Sequence, residues 1–322
     1  MSALDEHAES LEVVPVRHPG RIAAGVAMLV LVVMFLHTLI SRIPDPQTGQ
    51  PIWRFRWNII GQYLFSPIIL RALLLTIELT VVAMVIGIIL GVVIAVMRIS
   101  HSRLLSMPAA AYTWFFRGTP VYVQILFWFA AGTLYPTLTF GVPFLHITFF
   151  TFHVNHLTAI EAGIVALSLN EGAYMAEIAR AGLISVDEGQ MEAALSVGMT
   201  RVQTLRHIVL PQAMRVIIPP TGNEAISMLK TTSLLSTIGV YELAGTAANI
   251  SAQNFENVAL LETISIWYLV VTTVMSIGQF YVERRFARGS SRATPETPWQ
   301  RLRSDIRGVR ARWKLIPQGL TR

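Results

Sequence analysis

No cysteine occurs in the 322 residues. Its absence excludes disulfides, thiol nucleophiles, thioether-attached haem and Cys-ligated zinc or iron–sulfur centres. Charge is scarce as well: Asp, Glu, Lys and Arg make up 14% of the chain, where soluble domains carry about 25%. No GxxxxGK[ST] run is present, so the amides and Lys that hold nucleotide phosphates in such a loop are missing. The eight histidines include no HExxH pair and no evident ligand cluster, which argues against a metal site. Residues 135–157 contain no Lys, Arg, Asp or Glu.

What is plentiful is apolar sequence, 53% of residues with a mean hydropathy of +0.54. Crossing about 30 Å of hydrocarbon takes roughly 20 helical residues. Apolar stretches at 22–40, 68–97, 108–134, 158–181 and 255–281 meet that need. A sixth, 212–228, carries Pro219-Pro220, which predicts an interrupted rather than a regular helix. Long continuous runs, not short alternating ones, exclude an outer-membrane barrel. The expected fold is therefore an all-α polytopic membrane protein with about six spans.

The net charge of +6 is unevenly distributed. Residues 284–322 hold eleven Arg or Lys against Glu296 and Asp305, a balance of +9. Directly after a membrane span, such a tail marks the cytoplasmic side and contact with anionic lipid rather than nucleic acid. Arg98, Arg103, Arg180, Arg201 and Arg206 fall on the same side if the spans alternate. The uncharged 135–157 connection then falls outside, and both termini are cytoplasmic. Arg42, Arg54 and Arg56 oppose the bias but are fewer.

Segment 1–20 is polar and acidic, and 22–40 reads as a retained helix because no small-residue cleavage region follows it. In 41–67, turn residues precede Trp53-Arg54-Phe55-Arg56-Trp57, an alternation suited to anchoring at a membrane interface. The second span has Gly87 and Gly91 in a GxxxG pair, which favours close helix approach. It also holds Glu78, a carboxylate expected to face protein or a polar path. Arg117-Gly118-Thr119-Pro120 predicts a break within 108–134, with Arg117 snorkelling near the cytoplasmic boundary. In 158–181, Glu177 and Arg180 are placed to pair across one turn. Asn170 and Glu171 lie deeper and are candidates for a translocation path, as are Asn223 and Glu224 beyond the double proline.

The stretch 190–211, QMEAALSVGMTRVQTLRHIVLP, stands between two spans. Met191, Ala194 and Leu195 give one apolar face to a short helix, and Gly198 suits its end. A second short helix over 202–210 is expected to end or turn at Pro211. Glu192-Ala193-Ala194, Gly198, Ile208 and Leu210-Pro211 in this order resemble the EAA loop of bacterial ABC importer permeases. FFRGTPVYVQ at 115–124, AGIVALSLNEGAYMAEIARAG at 162–182 and KTTSLLSTIGVYEL at 230–243 resemble further motifs of the polar amino-acid subfamily.

The resemblance covers about 67–286, two thirds of the chain. It implies a type I ABC importer-like transmembrane domain, a five-helix core to which 21–66 adds an N-terminal helix and an extracytoplasmic connection. Residues 1–20 and 287–322 then remain as a cytoplasmic segment and a basic tail. It implies a non-catalytic inner-membrane permease that moves histidine, lysine, arginine, glutamine, glutamate or an opine. Glu192, Ala193, Ala194, Gly198, Leu210 and Pro211 would form the coupling element for two separate ATPase subunits, which use ATP and Mg. A second identical or related permease subunit and an extracytoplasmic amino-acid-binding protein complete the implied assembly. An ion-coupled secondary transporter with Glu78, Glu171 and Glu224 as a relay is the alternative; a membrane enzyme or a scaffold leaves the ordered loop motifs without a task.

Overall fold

The computed structural model describes residues 19–44, 49–134, 136–142, 144, 147–153 and 157–286. The acidic segment 1–20, except its last two residues, and the tail 287–322 lie outside the described residues. The chain divides into two compact units, Met1–Gln62 and Tyr63–Arg322.

The first unit is built on α1 (Pro19–Ile40). Its side chains from Ala23 to Leu36 are exposed all round, and Ala23–Ile40 is long and apolar enough to cross a bilayer. A helix apolar on every face is a lipid-facing one. The proline-rich connection is more ordered than its turn residues predict. β1 (Arg42–Pro44) pairs antiparallel with β2 (Pro51–Trp53), Ile43 opposite Ile52. The Arg42 guanidinium sits 4.3 Å from the centre of the Trp53 ring. The Trp57 indole N–H donates to the Leu39 carbonyl at 3.0 Å. α2 (Trp57–Leu64) follows.

The second unit is organised on α3 (Pro67–Ile99), started by Ser66 and the proline behind it. Ile69, Ala72 and Leu73 near its start pack with Leu243, Ala247, Ile250, Leu260 and Ile264. Further along, Leu79, Ala83 and Met84 join Ile125, Ala166, Leu167, Met228, Leu235 and Ile238. Lipid tails are as apolar as Leu, so helix association in a bilayer rests on close packing rather than on hydrophobic burial. The glycines supply that closeness. A Cβ at Gly87 would stand 2.6 Å from Cγ of Glu171, and one at Gly91 would collide with Met175 and stand 2.9 Å from the Ala176 nitrogen. The GxxxG pair is thus the seat of α6 (Ala159–Ile184) on α3.

The third expected span is two helices, α4 (Arg103–Gly118) and α5 (Val121–Leu134), separated by extended Thr119. A residue before proline is driven out of the helical region, so the break falls where Thr119-Pro120 places it. After α5 comes β3 (Thr137–Val142), paired antiparallel with β4 (Ile147–His153). α6 then runs to α7 (Glu188–Ser196) and α8 (Arg201–Thr204). α9 (Leu210–Thr231), a 3₁₀ segment (Thr232–Ile238), α10 (Leu243–Asn254) and α11 (Asn257–Phe286) complete the described chain.

Two expectations need correction. Pro211 does not end a helix: Leu205–Val209 forms a π-turn in which the Leu210 N–H bonds the Leu205 carbonyl, and α9 continues from it. The wider turn brings Pro211 into the first turn of α9, where its missing N–H costs least. Pro219-Pro220 does not interrupt α9 either. Membrane helices tolerate such residues because neighbours satisfy freed backbone groups, and here the Gln279 amide donates to the Pro219 carbonyl at 3.2 Å. Beyond the 3₁₀ segment lies a further short helix. Glu242 caps it, accepting from Ala244 and Gly245 N–H at 3.0 and 2.8 Å, and 243–254 is helical.

Among the described residues, α1, α3 and α11 are long and apolar enough to span alone. The α4–α5 pair, α6 and α9 are shorter or more polar and bury that polarity against each other. Among the described residues these make six candidate spans, five in the second unit and one in the first.

Candidate functional site

The break between α4 and α5 frees backbone carbonyls inside the protein, and they are satisfied by two amides. Gln124 Nε2 lies 2.9 Å from the Phe116 carbonyl, 3.1 Å from the Thr119 carbonyl and 2.7 Å from the Thr119 hydroxyl. Asn170 Nδ2, on α6, donates to the same Phe116 carbonyl at 2.9 Å and reaches Gln124 Oε1 at 3.2 Å. Asn170 therefore holds the break in place. Gln124 belongs to the quoted 115–124 motif, yet its task shows only once the chain is folded. Gln124→Leu leaves the Thr119 carbonyl without this donor and an Asn170 N–H without its acceptor, each worth about 1–3 kcal/mol when buried. Thermal unfolding of the purified variant in nanodiscs is expected to start well below the parent temperature; an unchanged midpoint removes Gln124 from this role.

The break presents Arg117 at the end of α4 remote from Arg103, about 21 Å along the helix. Its guanidinium stands 5.2 Å from the Tyr174 ring centre. Near this exposed guanidinium are two carboxylates of the second unit, Glu171 and Glu224. Glu171 is 3% exposed, and its Oε1 has no hydrogen-bond partner among the described residues. Glu224, half-buried on α9, interacts electrostatically with Glu171, and Arg117 interacts with Glu224. Gly87 and Gly172 give this layer its room: a Cβ on Gly172 would stand 2.9 Å from the Tyr112 hydroxyl, which donates to the Leu169 carbonyl at 2.6 Å. Two carboxylates against one guanidinium leave the cluster one negative charge when all are ionised.

Glu78 and Asn223 do not join it. Glu78 is exposed on α3, nine residues or about 13 Å along the helix from Gly87. Asn223 faces α11, where its Oδ1 accepts from Gln279 Nε2 at 3.0 Å. Arg98 Nη2 and Arg180 Nη2 hold Glu177 at 3.1 and 2.8 Å, and Arg98 Nη1 donates to the Thr113 hydroxyl. The Glu177–Arg180 contact is the expected one; the Arg98 link between α3, α4 and α6 is additional.

The second feature is α7, at the far end of α6. Asp187 starts it, accepting the Gly189 N–H at 2.8 Å. It ends as its glycine predicts. Gly198 has φ +84, the Gly198 N–H bonds the Leu195 carbonyl, and the Met199 N–H bonds the Ala194 carbonyl, the paired contacts of a Schellman stop. Thr200 and Gln203 then cap α8 reciprocally. Ala194 is buried, whereas Met191, Glu192, Ala193, Leu195 and Val197 are exposed. Leu210 and Pro211 are exposed at the start of α9. A short, doubly capped helix thus stands off the spans with an apolar and acidic outer surface.

Glu242 carried no expectation. It is fully buried at the N-terminus of α10, within 3.4 Å of the Thr76 hydroxyl, and the Tyr268 hydroxyl donates to it at 3.2 Å. The Leu243 N–H donates to the Thr76 oxygen at 3.0 Å. One carboxylate thereby joins α3, α10 and α11.

A polar cluster beside a helix break, with a doubly capped surface helix at the end of a central span, is an arrangement suited to a transport subunit. Residues 83–288 match the model of the binding-protein-dependent transport system inner membrane component family, and the chain belongs to that family. It is 42% identical over 283 residues to the arginine transport system permease protein ArgU of Corynebacterium glutamicum, covering 88% of this chain and 85% of that one. It is 37% identical over 213 residues to the octopine transport system permease protein OccM of Rhizobium radiobacter, covering 66% and 80%. Among solved structures, an amino acid ABC transporter crystallised with histidines aligns with a TM-score of 0.60 at 33% identity, covering 70% of this chain and 98% of that one. The chain is accordingly a non-catalytic, multi-pass inner-membrane permease subunit of an ABC importer for polar amino acids. Membership implies an ATPase and a binding protein as partners, and the ion-coupled alternative is not favoured.

Proposed function

We propose that this permease carries cationic amino acids, with Arg117, Glu171 and Glu224 as the residues the substrate meets. An amino acid with a basic side chain has one carboxylate and two cationic groups. The cluster offers the complementary set, an exposed guanidinium with one buried and one half-buried carboxylate, and charge complementarity of this kind discriminates between ligands. The unpartnered, buried Glu171 Oε1 is the observation that carries this reading, because a buried acceptor without a donor calls for a functional reason. The 42% identity to an arginine permease supports it. Asn170 fixes the break that aims Arg117, while Glu78 and Asn223 stand along the route rather than in the cluster.

The rest of the assembly follows the family pattern. Two ATPase subunits receive α7 through Glu192, Ala193 and neighbouring side chains, and Ala194, Gly198, Leu210 and Pro211 keep that element rigid. A second permease subunit, identical or related, encloses the path, and the binding protein delivers substrate on the face opposite α7. Both termini lie in the cytoplasm. Residues 67–286 act as the permease domain, with 21–66 an added helix and connection and 287–322 a basic tail held near anionic lipid.

Competition measured on the reconstituted assembly tests the substrate class. Uptake of labelled arginine is expected to be blocked by lysine, histidine or other basic amino acids and spared by glutamate and glutamine. Equal inhibition by glutamate overturns the assignment.

A further inference from the structure

Residues 137–153 contain an antiparallel hairpin whose register sorts its side chains by chemistry. Phe140 stands opposite Phe150 and Val142 opposite Ile147, whereas Thr139 stands opposite Thr151 and Gly141 opposite Thr148. Directly opposed residues share a face, and successive residues alternate. One face therefore presents Phe140, Val142, Ile147 and Phe150, and the other presents threonines. The bulge at Phe140/Gly141 skips Phe149, so the alternation is reset and Ile147 and Phe150 both remain on the apolar face. Among the described residues of the second unit, none covers Phe140 or Phe150: they are 64% and 57% exposed, with their rings 6.5 Å apart.

Three observations say what does cover it. Tyr135 and Pro136 alone join the hairpin to the end of the apolar helix α5, and five residues join it to α6. Both tethers are too short to carry it far from the ends of two membrane helices. No Lys, Arg, Asp or Glu occurs anywhere in 135–157, which holds His146, His153 and His156 instead, so no permanent charge has to be desolvated. The turn adds Phe144, 93% exposed, rather than the polar residues usual at a hairpin tip in water. A protein partner on this surface would be expected to find charged or hydrogen-bonding groups at its rim, and the connection supplies none of the former.

We propose that β3–β4 lies on the outer surface of the bilayer as an amphipathic hairpin free of Lys, Arg, Asp and Glu. Phe140, Val142, Ile147 and Phe150 enter the lipid interface, and Thr139 and Thr151 face water. Aromatic rings partition well at that boundary, and the threonine face keeps the hairpin from sinking further. It anchors the junction of α5 and α6 at the end opposite α7, so the spans that carry Gln124 and Glu171 have a fixed outer end. The proposal stands on membrane insertion alone; its failure would leave the transport reading untouched, and failure of the substrate assignment would not affect it.

The cysteine-free chain makes the test direct. Single-cysteine variants Thr139→Cys, Phe140→Cys, Phe150→Cys and Thr151→Cys are spin-labelled in the complete assembly in nanodiscs. Collision with oxygen, which concentrates in lipid, is compared with collision against a water-soluble nickel chelate. The oxygen-to-nickel ratio is expected to be severalfold higher at 140 and 150 than at 139 and 151. Each face is sampled twice, so one variant that fails to assemble leaves the comparison intact. Equal ratios on both faces, meaning a hairpin standing free in water, overturn the proposal. So does shielding of 140 and 150 from both reagents, with or without added binding protein, because a protein then covers that face.

Discussion

Ala193→Trp is expected to cut binding-protein-stimulated ATP hydrolysis by about 30-fold or more while leaving the permease itself folded. The two halves of this result come from one geometric fact. Ala193 is exposed and Ala194 is buried on the same short helix, so bulk at 193 meets only an external partner. Filling a packed contact with an indole costs about 1–3 kcal/mol, and where the contact cannot rearrange the coupling falls by tenfold for every 1.4 kcal/mol. Ala194→Trp provides the contrast, because it forces the helix off its own chain and is expected to reduce stability as well as coupling. Gly198→Pro attacks the same element through the backbone. Its φ of +84 is closed to proline, whose ring holds φ near about −65°, and the stop that sets the helix direction is lost. Glu192→Ala removes one exposed carboxylate and is expected to act in the same direction but less strongly. Co-purification of the ATPase, ATP hydrolysis and circular dichroism separate these cases. Unchanged hydrolysis in Ala193→Trp, Gly198→Pro and Glu192→Ala together removes α7 from coupling.

The second large effect is expected at the polar layer. Removing one partner of a charge pair that bound substrate buries costs about 2–5 kcal/mol, so Glu224→Gln or Glu171→Gln should raise the substrate concentration for half-maximal uptake about 30-fold or more. The two variants differ in what else they disturb. Glu171 is packed against Gly87, and Gln keeps its volume, so structural loss is small. Glu224 is half-buried and interacts with Arg117, so its replacement also frees the guanidinium. Preference is therefore expected to shift from basic toward neutral amino acids most clearly in Glu224→Gln. Competition between arginine and glutamine reads that shift. Parent-like affinity and preference in both variants contradict the assignment.

The spans and α7 were readable in the sequence because their signals are local. Apolar length, GxxxG, Thr119-Pro120 and Gly198 each act within a few residues, and each feature stands where those residues put it. The unexpected parts depend on distant partners or on pattern lost in an apolar background. Pro211 reads as a stop unless the π-turn before it is known, and Pro219-Pro220 reads as a break unless neighbouring helices such as α11 are in place. The hairpin's alternation is short, interrupted by a bulge and set among phenylalanines, so it resembles an aromatic loop. Leu243, Ala247 and Ile250 have helical spacing, but the small polar residues between them conceal it. Glu242 and Gln124 both lay inside recognised motifs; their partners, Thr76 and Tyr268 for one and the Phe116 carbonyl for the other, are brought by folding. Asn170 and Glu171, adjacent in sequence, part company by the same route, one tied to a backbone break and the other left with a free acceptor.

The most direct measurement is initial uptake of labelled arginine into proteoliposomes of the full assembly, with ATP inside, binding protein outside and ionophores collapsing every ion gradient. Uptake is expected to persist, to stop when ATP is omitted, and to fall in Ala193→Trp in step with hydrolysis. Uptake that survives without ATP and follows an imposed proton or sodium gradient, or that is indifferent to Ala193→Trp, contradicts a permease driven through α7.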